Sequence, residues 1–168
     1  MTSALSSPRK LSRGDDCSDF DSGAPELDQW LVRYAYANLR ANNATTYVAL
    51  RGAKVVAYYA IAMAAVERDE APERLRHGSR PAQIPCLLLA RLAVDTSEQG
   101  NGIGAGMLRD ALRRALQLSD AVGAAAVLVH ARDDAAKRFY EANGNFLESP
   151  VDLLQPMVPM KALRSIFV

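Results

Sequence analysis

Apolar and polar residues are grouped along this chain so that the spacing within each group predicts a helix or a strand. Between Pro25 and about Ala41, large apolar side chains recur every three or four residues, as on one face of a helix. The β-branched stretch Thr45–Leu50 predicts a short strand. The longer apolar run Val55–Val66 lacks clean alternation, which predicts a central strand buried on both faces.

The second half of the chain repeats a strand followed by a helix. The apolar runs Ile84–Val94 and Ala124–His130 predict strands, and a helical pattern follows each of them. The second of these helices begins at Asp133 and Asp134, where acids suit the N-terminal end, and stops near Gly144. Residues 146–160 predict a final hairpin that three prolines interrupt.

A polar insertion over residues 68–83 separates the two halves and holds one predicted helical turn near Glu73–Arg76. Residues 1–19 are polar and predict a mobile arm or an irregular entry segment, followed by a single domain over residues 20–168. The order of elements predicts an α/β fold, with a mixed central sheet flanked by helices on both faces.

Composition and charge indicate the broad class of protein but not the reaction or the ligand. The chain is 49% apolar and 23% charged with a net charge of +1, which is ordinary for a soluble globular domain. It has no apolar run as long as a membrane span and no secretory signal at its start. Cys17 and Cys86 differ in context, so we expect no disulfide between them and a cytoplasmic location.

A glycine-rich turn lies between the strand that ends at Val94 and the helix after it, with glycines at 100, 102, 104 and 106. Unpaired backbone N–H groups and the helix dipole favour an anion at such a turn. Met107 and Leu108 stand where a P-loop needs Lys-Ser/Thr, and the spacing does not fit a Rossmann loop. A turn that only packs helix on strand is the alternative.

Residues 99–104, called the glycine loop here, read Gln-x-x-Gly-x-Gly and resemble the pyrophosphate-binding loop of GNAT acyltransferases, which use acetyl-CoA. One strand later, Phe139-Tyr140-Glu-Ala-Asn-Gly144 resembles the last helix of these enzymes, whose tyrosine faces the sulfur of acetyl-CoA. Two such motifs in the right order are more specific than either alone. The resemblance covers about residues 20–165 and implies the acyl-CoA N-acyltransferase fold.

Further stretches resemble the GNAT toxins of bacterial type II toxin–antitoxin modules. They are Phe20-Asp-Ser-Gly23 with Trp30-Leu31, Val66 to Pro72, Arg91-Leu-Ala-Val-Asp95, His130 to Tyr140 and Pro159-Met160. The resemblance implies acetylation of the free α-amine of an aminoacyl-tRNA, which blocks translation. It also implies a ribbon-helix-helix antitoxin that neutralises the toxin and represses the operon through operator DNA, and a toxin homodimer.

Within this resemblance, Tyr140 is the candidate general acid that protonates the leaving thiolate, and a tyrosine that only caps the pocket is the alternative. The resemblance also implies a set of cofactor-binding residues on the strand, the glycine loop and the last helix. They are Leu92, Ala93, Val94, Gln99, Gly100, Asn101, Gly102, Ile103, Gly104, Asp133 and Lys137.

Glu67 is a second candidate base, and a strand-end ion pair with Arg68 or Arg91 is its alternative. Of the 20 basic residues, 16 are arginines, which bind phosphate well. A basic rim for tRNA phosphates is predicted, with a solvated surface as the alternative. Its members are Arg68, Arg74, Arg76, Arg80 and Arg91. His77 and His130 lack partners at ligand spacing, so no metal site is predicted.

Asn145 departs from the family pattern, because the family continues Tyr-x-x-x-Gly-Phe and this chain has one residue more before Phe146. We expect a longer turn there, an unmoved Tyr140 and an altered edge of the acceptor pocket. Two other functions stay open. The same fold can acetylate a protein N-terminus, a polyamine or an antibiotic, and a module that binds CoA without chemistry is the second.

Overall fold

The computed structural model describes residues 3–167 and confirms the α/β prediction. Six strands form one mixed sheet in the order β1-β2-β3-β4-β5-β6. The strands are β1 Arg9–Lys10, β2 Thr45–Arg51, β3 Lys54–Glu67, β4 Gln83–Val94, β5 Ala126–Val129 and β6 Met157–Pro159. The helices are α1 Pro25–Arg33, α2 Ala35–Arg40, α3 Glu73–Arg76, α4 Ile103–Val122, α5 Asp134–Asn143 and α6 Met160–Phe167.

The chain divides into two compact units. The first unit comprises the part up to Ala62 with Ala90–Asp110, and the second comprises Met63–Leu89 with the part from Ala111 onward. β3, β4 and α4 each supply residues to both units. None of the helices between residues 3 and 167 combines the length and the apolar character that crossing a bilayer requires.

The first unit is built on the antiparallel strands β1, β2 and β3. Leu31 of α1 and Ala35 of α2 are buried in one cluster with Val48 and Tyr58 of the strands. The sequence predicted one helix over residues 25–41, but the helix divides at Tyr34, whose φ of −121° lies outside the helical range. The apolar spacing continues through this break, so periodicity alone did not reveal it.

The N-terminal segment belongs to the edge of the sheet. Arg9 pairs with Val48, Leu5 forms an isolated bridge with Arg51, and Leu11 is buried. Of the two expectations for residues 1–19, these contacts favour an irregular entry segment over a mobile arm, while Met1 and Thr2 lie outside the described residues. A two-residue strand shows no periodicity, and its pairing partner is almost forty residues away.

The second unit joins β4 to β5 in parallel, with Cys86 opposite Ala126, and β5 to β6 in antiparallel. Its core gathers Leu75 of α3, Ile84 and Cys86 of β4, Leu128 of β5 and Met157 of β6. Both cysteines of the chain are free thiols, and burial raises the pKa of Cys86 to about 11.

The predicted final hairpin is wrong. Leu147 forms only an isolated bridge with Met157, and β6 is three residues long. The chain then turns into α6, which the sequence analysis missed, and which buries Met160 and Leu163 on one side. The sequence contains the apolar spacing of this helix, but the three prolines before it favour extended structure.

Candidate active site

A strand, a loop and a helix follow one another in the first unit. β4 ends at Val94, a 3-10 helical turn covers Thr96–Glu98, and α4 begins at Ile103. The helix starts earlier than predicted, so Gly104 and Gly106 lie in its first turn. The first N–H groups of α4 have no acceptor within the helix, and they are available to an anion.

Two residues of the glycine loop have left-handed backbone conformations. Gly100 has a φ of +84° and Gly102 a φ of +78°, a region that costs other residues about 1–2 kcal/mol. A Cβ built on either glycine would meet no atom within 4 Å, so conformation rather than space requires glycine. These turns carry the backbone into the start of α4, as an anion-binding loop requires.

Hydrogen bonds made by the side chains of Gln99 and Asp95 hold the glycine loop in place. The amide nitrogen of Gln99 donates to the carbonyl oxygens of Ser22 and Val94, both at 2.9 Å. Asp95, which is 4% exposed, accepts from the backbone N–H of Asp21 at 2.9 Å and of Ser97 at 3.0 Å. The side chain of Gln99 thus anchors the loop, and contacts from the backbone N–H groups to an anion stay a prediction.

Burial opposes ionisation of Asp95, but the hydrogen bonds from Ser97 and Asp21 hold the pKa of its carboxyl below the usual value. Asp95 therefore carries a negative charge within the group of hydrogen bonds that supports the loop. The sequence analysis missed this residue as a part of the site. A short polar run of Asp, Thr and Ser after a buried strand is the signal that favours such a turn.

Arg91 belongs to the first unit, and the other arginines of the predicted basic rim belong to the second. It is half-buried, and its Cζ atom lies 4.4 Å from the centroid of the Trp30 ring. Its predicted pairing with Glu67 is not found among the described residues. In the second unit, Arg68 donates to the carbonyl oxygen of Arg80 at 3.0 Å. Arg74 and Arg76 are exposed on α3.

Tyr140 lies on α5 in the second unit and is 5% exposed. Its ring meets Phe139 edge-on at 5.4 Å and Phe146 at 6.0 Å between centroids. Burial raises the pKa of its hydroxyl above the ordinary value near 10. The hydroxyl makes no hydrogen bond to another residue in the described range 3–167. It is therefore a protonated phenol that is available to a reaction.

The turn after α5 fixes the surroundings of Tyr140. A Cβ on Gly144 would lie 2.6 Å from a ring carbon of Phe146, so Phe146 occupies the space that any other residue here would need. The extra Asn145 is exposed, and Phe146, which follows it, packs on Tyr140.

The two remaining cofactor candidates on α5 have structural partners. The carboxylate of Asp133 caps the helix by accepting from the N–H of Ala136 at 2.8 Å. The ammonium group of Lys137 lies 3.2 Å from Glu148. Both side chains still stand at the start of α5, so their contact with a cofactor stays a prediction.

A cavity of about 240 Å³ lies in the second unit, between the end of β3, the end of β5 and the segment before β6. Glu67 and Glu70 line it beside His130, and the carboxylate of Glu67 accepts a short hydrogen bond from the Gln83 amide. Glu67 therefore pairs with an amide and not with Arg68. No group of three or more metal-ligating side chains occurs within residues 3–167.

Comparison with known proteins adds an independent line of observation. The model of the Acetyltransferase (GNAT) family matches residues 13–144. A tRNA-acetylating toxin of Mycobacterium tuberculosis is 42% identical over 164 residues, which cover 98% of each chain. The solved structure of AtaT complexed with acetyl-methionyl-tRNAfMet has a TM-score of 0.89, 26% identity and coverage of 98% of this chain and 100% of that chain.

A second solved structure holds a tyrosine-to-phenylalanine variant of the AtaT toxin bound to the C-terminus of the antitoxin AtaR. It has a TM-score of 0.84 and 25% identity, and the match covers 98% of both chains.

Proposed function

Because this chain belongs to the GNAT acetyltransferase family, we propose that it is a toxin that acetylates the free α-amine of aminoacyl-tRNA. One observation carries the proposal: the 42% identity to a tRNA-acetylating toxin extends over nearly the full length of both chains. The acetyl donor is acetyl-CoA, which is consumed in each turnover. An acetylated aminoacyl-tRNA has no free amine for peptide-bond formation, so translation stops.

The reaction needs a neutral amine and a proton for the leaving thiolate. An α-amine has a pKa of about 8, so a useful fraction is neutral at cellular pH without a strong base. The amine attacks the thioester carbonyl, the C–N bond forms, and the C–S bond breaks. Tyr140 is the proposed donor of the proton that the thiolate takes up. The amine loses its proton to solvent, and the Tyr140 phenolate regains one from solvent before the next turnover.

The glycine loop and the end of β4 supply the binding groups for acetyl-CoA in this proposal. The backbone N–H groups of Gln99–Gly104 hold the pyrophosphate, and the backbone of Leu92–Val94 binds the pantetheine arm. Asp133 and Lys137 are proposed to contact the far side of the cofactor. These assignments rest on the loop conformation and on the position of each residue in its element.

Arginines of the second unit supply contacts to the tRNA backbone. Arg68, Arg74 and Arg76 are exposed, and Arg80 is half-buried. Neutralising several phosphates in this way makes binding strongly dependent on salt. The toxin is proposed to act in the cytoplasm as a homodimer. A ribbon-helix-helix antitoxin neutralises it and represses their operon through operator DNA. The antitoxin-bound AtaT toxin supports this partner class.

The cavity with Glu67 and Glu70 favours one alternative acceptor. Two carboxylates beside a cavity of about 240 Å³ suit a small cationic amine better than an uncharged group. In that case the enzyme would be an N-acetyltransferase of a small-molecule amine or of a protein N-terminus.

Transfer of label from acetyl-CoA to total charged tRNA tests the proposal, with wild type and Tyr140→Phe measured in parallel. Deacylated tRNA is the matched control, because it lacks only the amine. We expect label on charged tRNA alone and its loss in the variant. Label that persists in Tyr140→Phe would remove the tyrosine as proton donor. Label on polyamines or peptides but not on charged tRNA would favour the alternative acceptor.

A further inference from the structure

An arginine, a tryptophan and a tyrosine are stacked in the first unit. The guanidinium carbon of Arg91 lies 4.4 Å from the Trp30 ring centroid. Trp30 in turn stacks on Tyr58, with 6.0 Å between centroids and 15° between ring planes. Tyr58 is fully buried, and its hydroxyl donates to the carbonyl oxygen of Leu27 at 2.7 Å. Tyr58 is thus held in place by burial and by this hydrogen bond. It supports Trp30, against which Arg91 lies.

The hydrogen-bonding capacity of Arg91 is unused within the described residues. None of them accepts a hydrogen bond from its guanidinium group, and no carboxylate there lies within ion-pair distance. Arg51, the other half-buried arginine of this unit, donates to Glu98 and to the carbonyl oxygen of Ser3. The five N–H donors of the Arg91 guanidinium, which no described residue engages, are therefore open to a ligand.

The stack determines which ligand chemistry fits. Trp30 lies against the guanidinium carbon of Arg91, and no residue within 3–167 accepts a hydrogen bond from the N–H groups of that guanidinium. A fixed planar fork matches the two oxygens of a phosphate and forms a pair of parallel charge-assisted hydrogen bonds. A Lys at this position would keep the charge and lose both the fork and much of the stacking.

The position of Arg91 in β4 indicates whether this phosphate belongs to the acetyl donor or to the tRNA. Arg91 immediately precedes Leu92–Val94, the proposed binding strand for the thioester arm, and a strand advances ~3.3 Å per residue. An anion on Arg91 therefore lies within about 10 Å of that segment along the strand. The pyrophosphate of the donor is assigned to the glycine loop, beyond the end of the strand.

We propose that the Arg91–Trp30 stack is a phosphate-binding site for the acceptor strand of the tRNA, next to its aminoacylated end. This inference rests on the proposed function, and it separates Arg91 from the arginines of the second unit. Those arginines contribute to general affinity for RNA. Arg91 fixes the last part of the acceptor strand relative to β4.

The test compares Arg91→Ala, Arg91→Lys and wild type in three measurements. They are the KM for charged tRNA, the Kd for acetyl-CoA by calorimetry, and the Kd for deacylated tRNA as salt is varied. Loss of two charge-assisted hydrogen bonds should raise the KM of Arg91→Ala about ten- to a hundredfold. The salt slope should fall by about one, and the Kd for acetyl-CoA should stay within about twofold.

Two further variants keep the test specific. Arg91→Lys should fall between wild type and Arg91→Ala, because it restores charge without the fork. Arg40→Ala, on the exposed end of α2 in the same unit, is the matched control and should leave the KM within about twofold. Trp30→Leu keeps the arginine and removes its platform, so it should raise the KM in the direction of Arg91→Ala.

Three results would overturn the inference. They are an unchanged KM in Arg91→Ala, an equal loss of acetyl-CoA affinity, and an Arg40→Ala defect as large as that of Arg91→Ala. Binding of deacylated tRNA requires no acetyl transfer. Its Kd therefore reports on the Arg91–Trp30 site even if the enzyme acetylates a different acceptor. Wild-type enzyme that transfers no acetyl to charged tRNA would instead contradict the proposed function.

Discussion

Arg51 and Glu98 form an ion pair that ties β2 to the residue just before the glycine loop. The Nε atom of Arg51 lies 2.5 Å from a carboxylate oxygen of Glu98, and its Nη1 atom donates to the carbonyl oxygen of Ser3 at 2.9 Å. Glu98 is only 8% exposed, so its charge is largely removed from water. The pair joins three separate chain segments behind the proposed pyrophosphate site.

Replacing the arginine should loosen the loop without touching the reacting groups. Arg51→Met leaves Glu98 with no partner for its buried charge, so we expect the KM for acetyl-CoA to rise several-fold while kcat changes little. Steady-state kinetics with saturating charged tRNA measures this. Arg9→Met is the matched control, because it breaks an ion pair of 2.8 Å with Asp15 in the same unit, and neither member of that pair belongs to the loop or bonds to it. Equal effects in both variants would contradict a positioning role.

A methyl group on Gly144 should displace Phe146 and thereby disturb Tyr140. The Cβ would lie 2.6 Å from the Phe146 ring, and a misplacement of about 1 Å in a catalytic group can cost up to about a hundredfold in rate. We expect Gly144→Ala to lower kcat strongly while the Kd for acetyl-CoA stays constant. Gly14→Ala, where a Cβ meets nothing within 4 Å, should behave as wild type.

Gly102 and Gly106 should respond in opposite directions to the same substitution. Gly102→Ala forces a Cβ into a φ of +78°, so we expect a loss of about 1–2 kcal/mol in the free energy of unfolding and weaker acetyl-CoA binding. Gly106→Ala lies in the first turn of α4 with open space around it, and a gain of about 0.5–1 kcal/mol is expected. Chemical denaturation measures both, and destabilisation by Gly106→Ala would contradict the helical assignment.

The rate of acetyl transfer should depend on pH through the amine alone between pH 6 and 9. The rate rises through about pH 8 as the amine deprotonates. Burial raises the pKa of Tyr140 above its ordinary value near 10, so the phenol keeps its proton over this range. Initial rates with freshly charged tRNA check this expectation. A decline of the rate before pH 9 would argue against Tyr140 as the proton donor.

Asp95 should make the stability of the first unit sensitive to acid. Its carboxyl has a lower pKa in the folded protein than in the unfolded chain, so its contribution is complete above about pH 4 and is lost as the pH falls through the folded value. Asp95→Asn should lose about 1.5–3 kcal/mol at pH 7, the usual contribution of hydrogen bonds to a charged group. Thermal unfolding at pH 7 and 3.5 measures this, and the variant should depend less on pH. Parallel curves for both proteins would contradict the role of this carboxylate.

Local patterns predicted the parts of the fold that short stretches of chain determine. The runs that became β3 and β4 and the cap at Asp133 depend on neighbouring residues, so spacing and residue type indicated them. The pair Arg51–Glu98 joins residues 47 positions apart, and no local pattern contains it. The stack of Arg91 on Trp30 likewise depends on how α1 lies against the strands of its own unit.

The sequence indicated which residues belong to the candidate site, but not the hydrogen-bond partners of their polar side chains. Gln99 was expected among the pyrophosphate contacts, which stays a prediction for its backbone, and its side chain joins the loop to Ser22 and Val94. Glu67 was expected to act as a base or to pair with an arginine, and it binds the Gln83 amide. A motif identifies which residues lie together, but the partner of a polar side chain is decided by elements that the motif does not include.

The short strand β1 also determines how the sheet ends. Without it, β2 would present a row of unpaired backbone groups to which a strand from another molecule could add. Arg9 and Lys10 fill that row with only two residues, both charged and exposed. Arg9 is paired with Asp15, and Lys10 places a charge at the margin of the sheet, which disfavours the addition of a further strand. The N-terminal segment therefore protects the protein against aggregation through its sheet edge. Shortened forms of the chain should therefore keep residues 3–11 if they are to stay dispersed at high concentration.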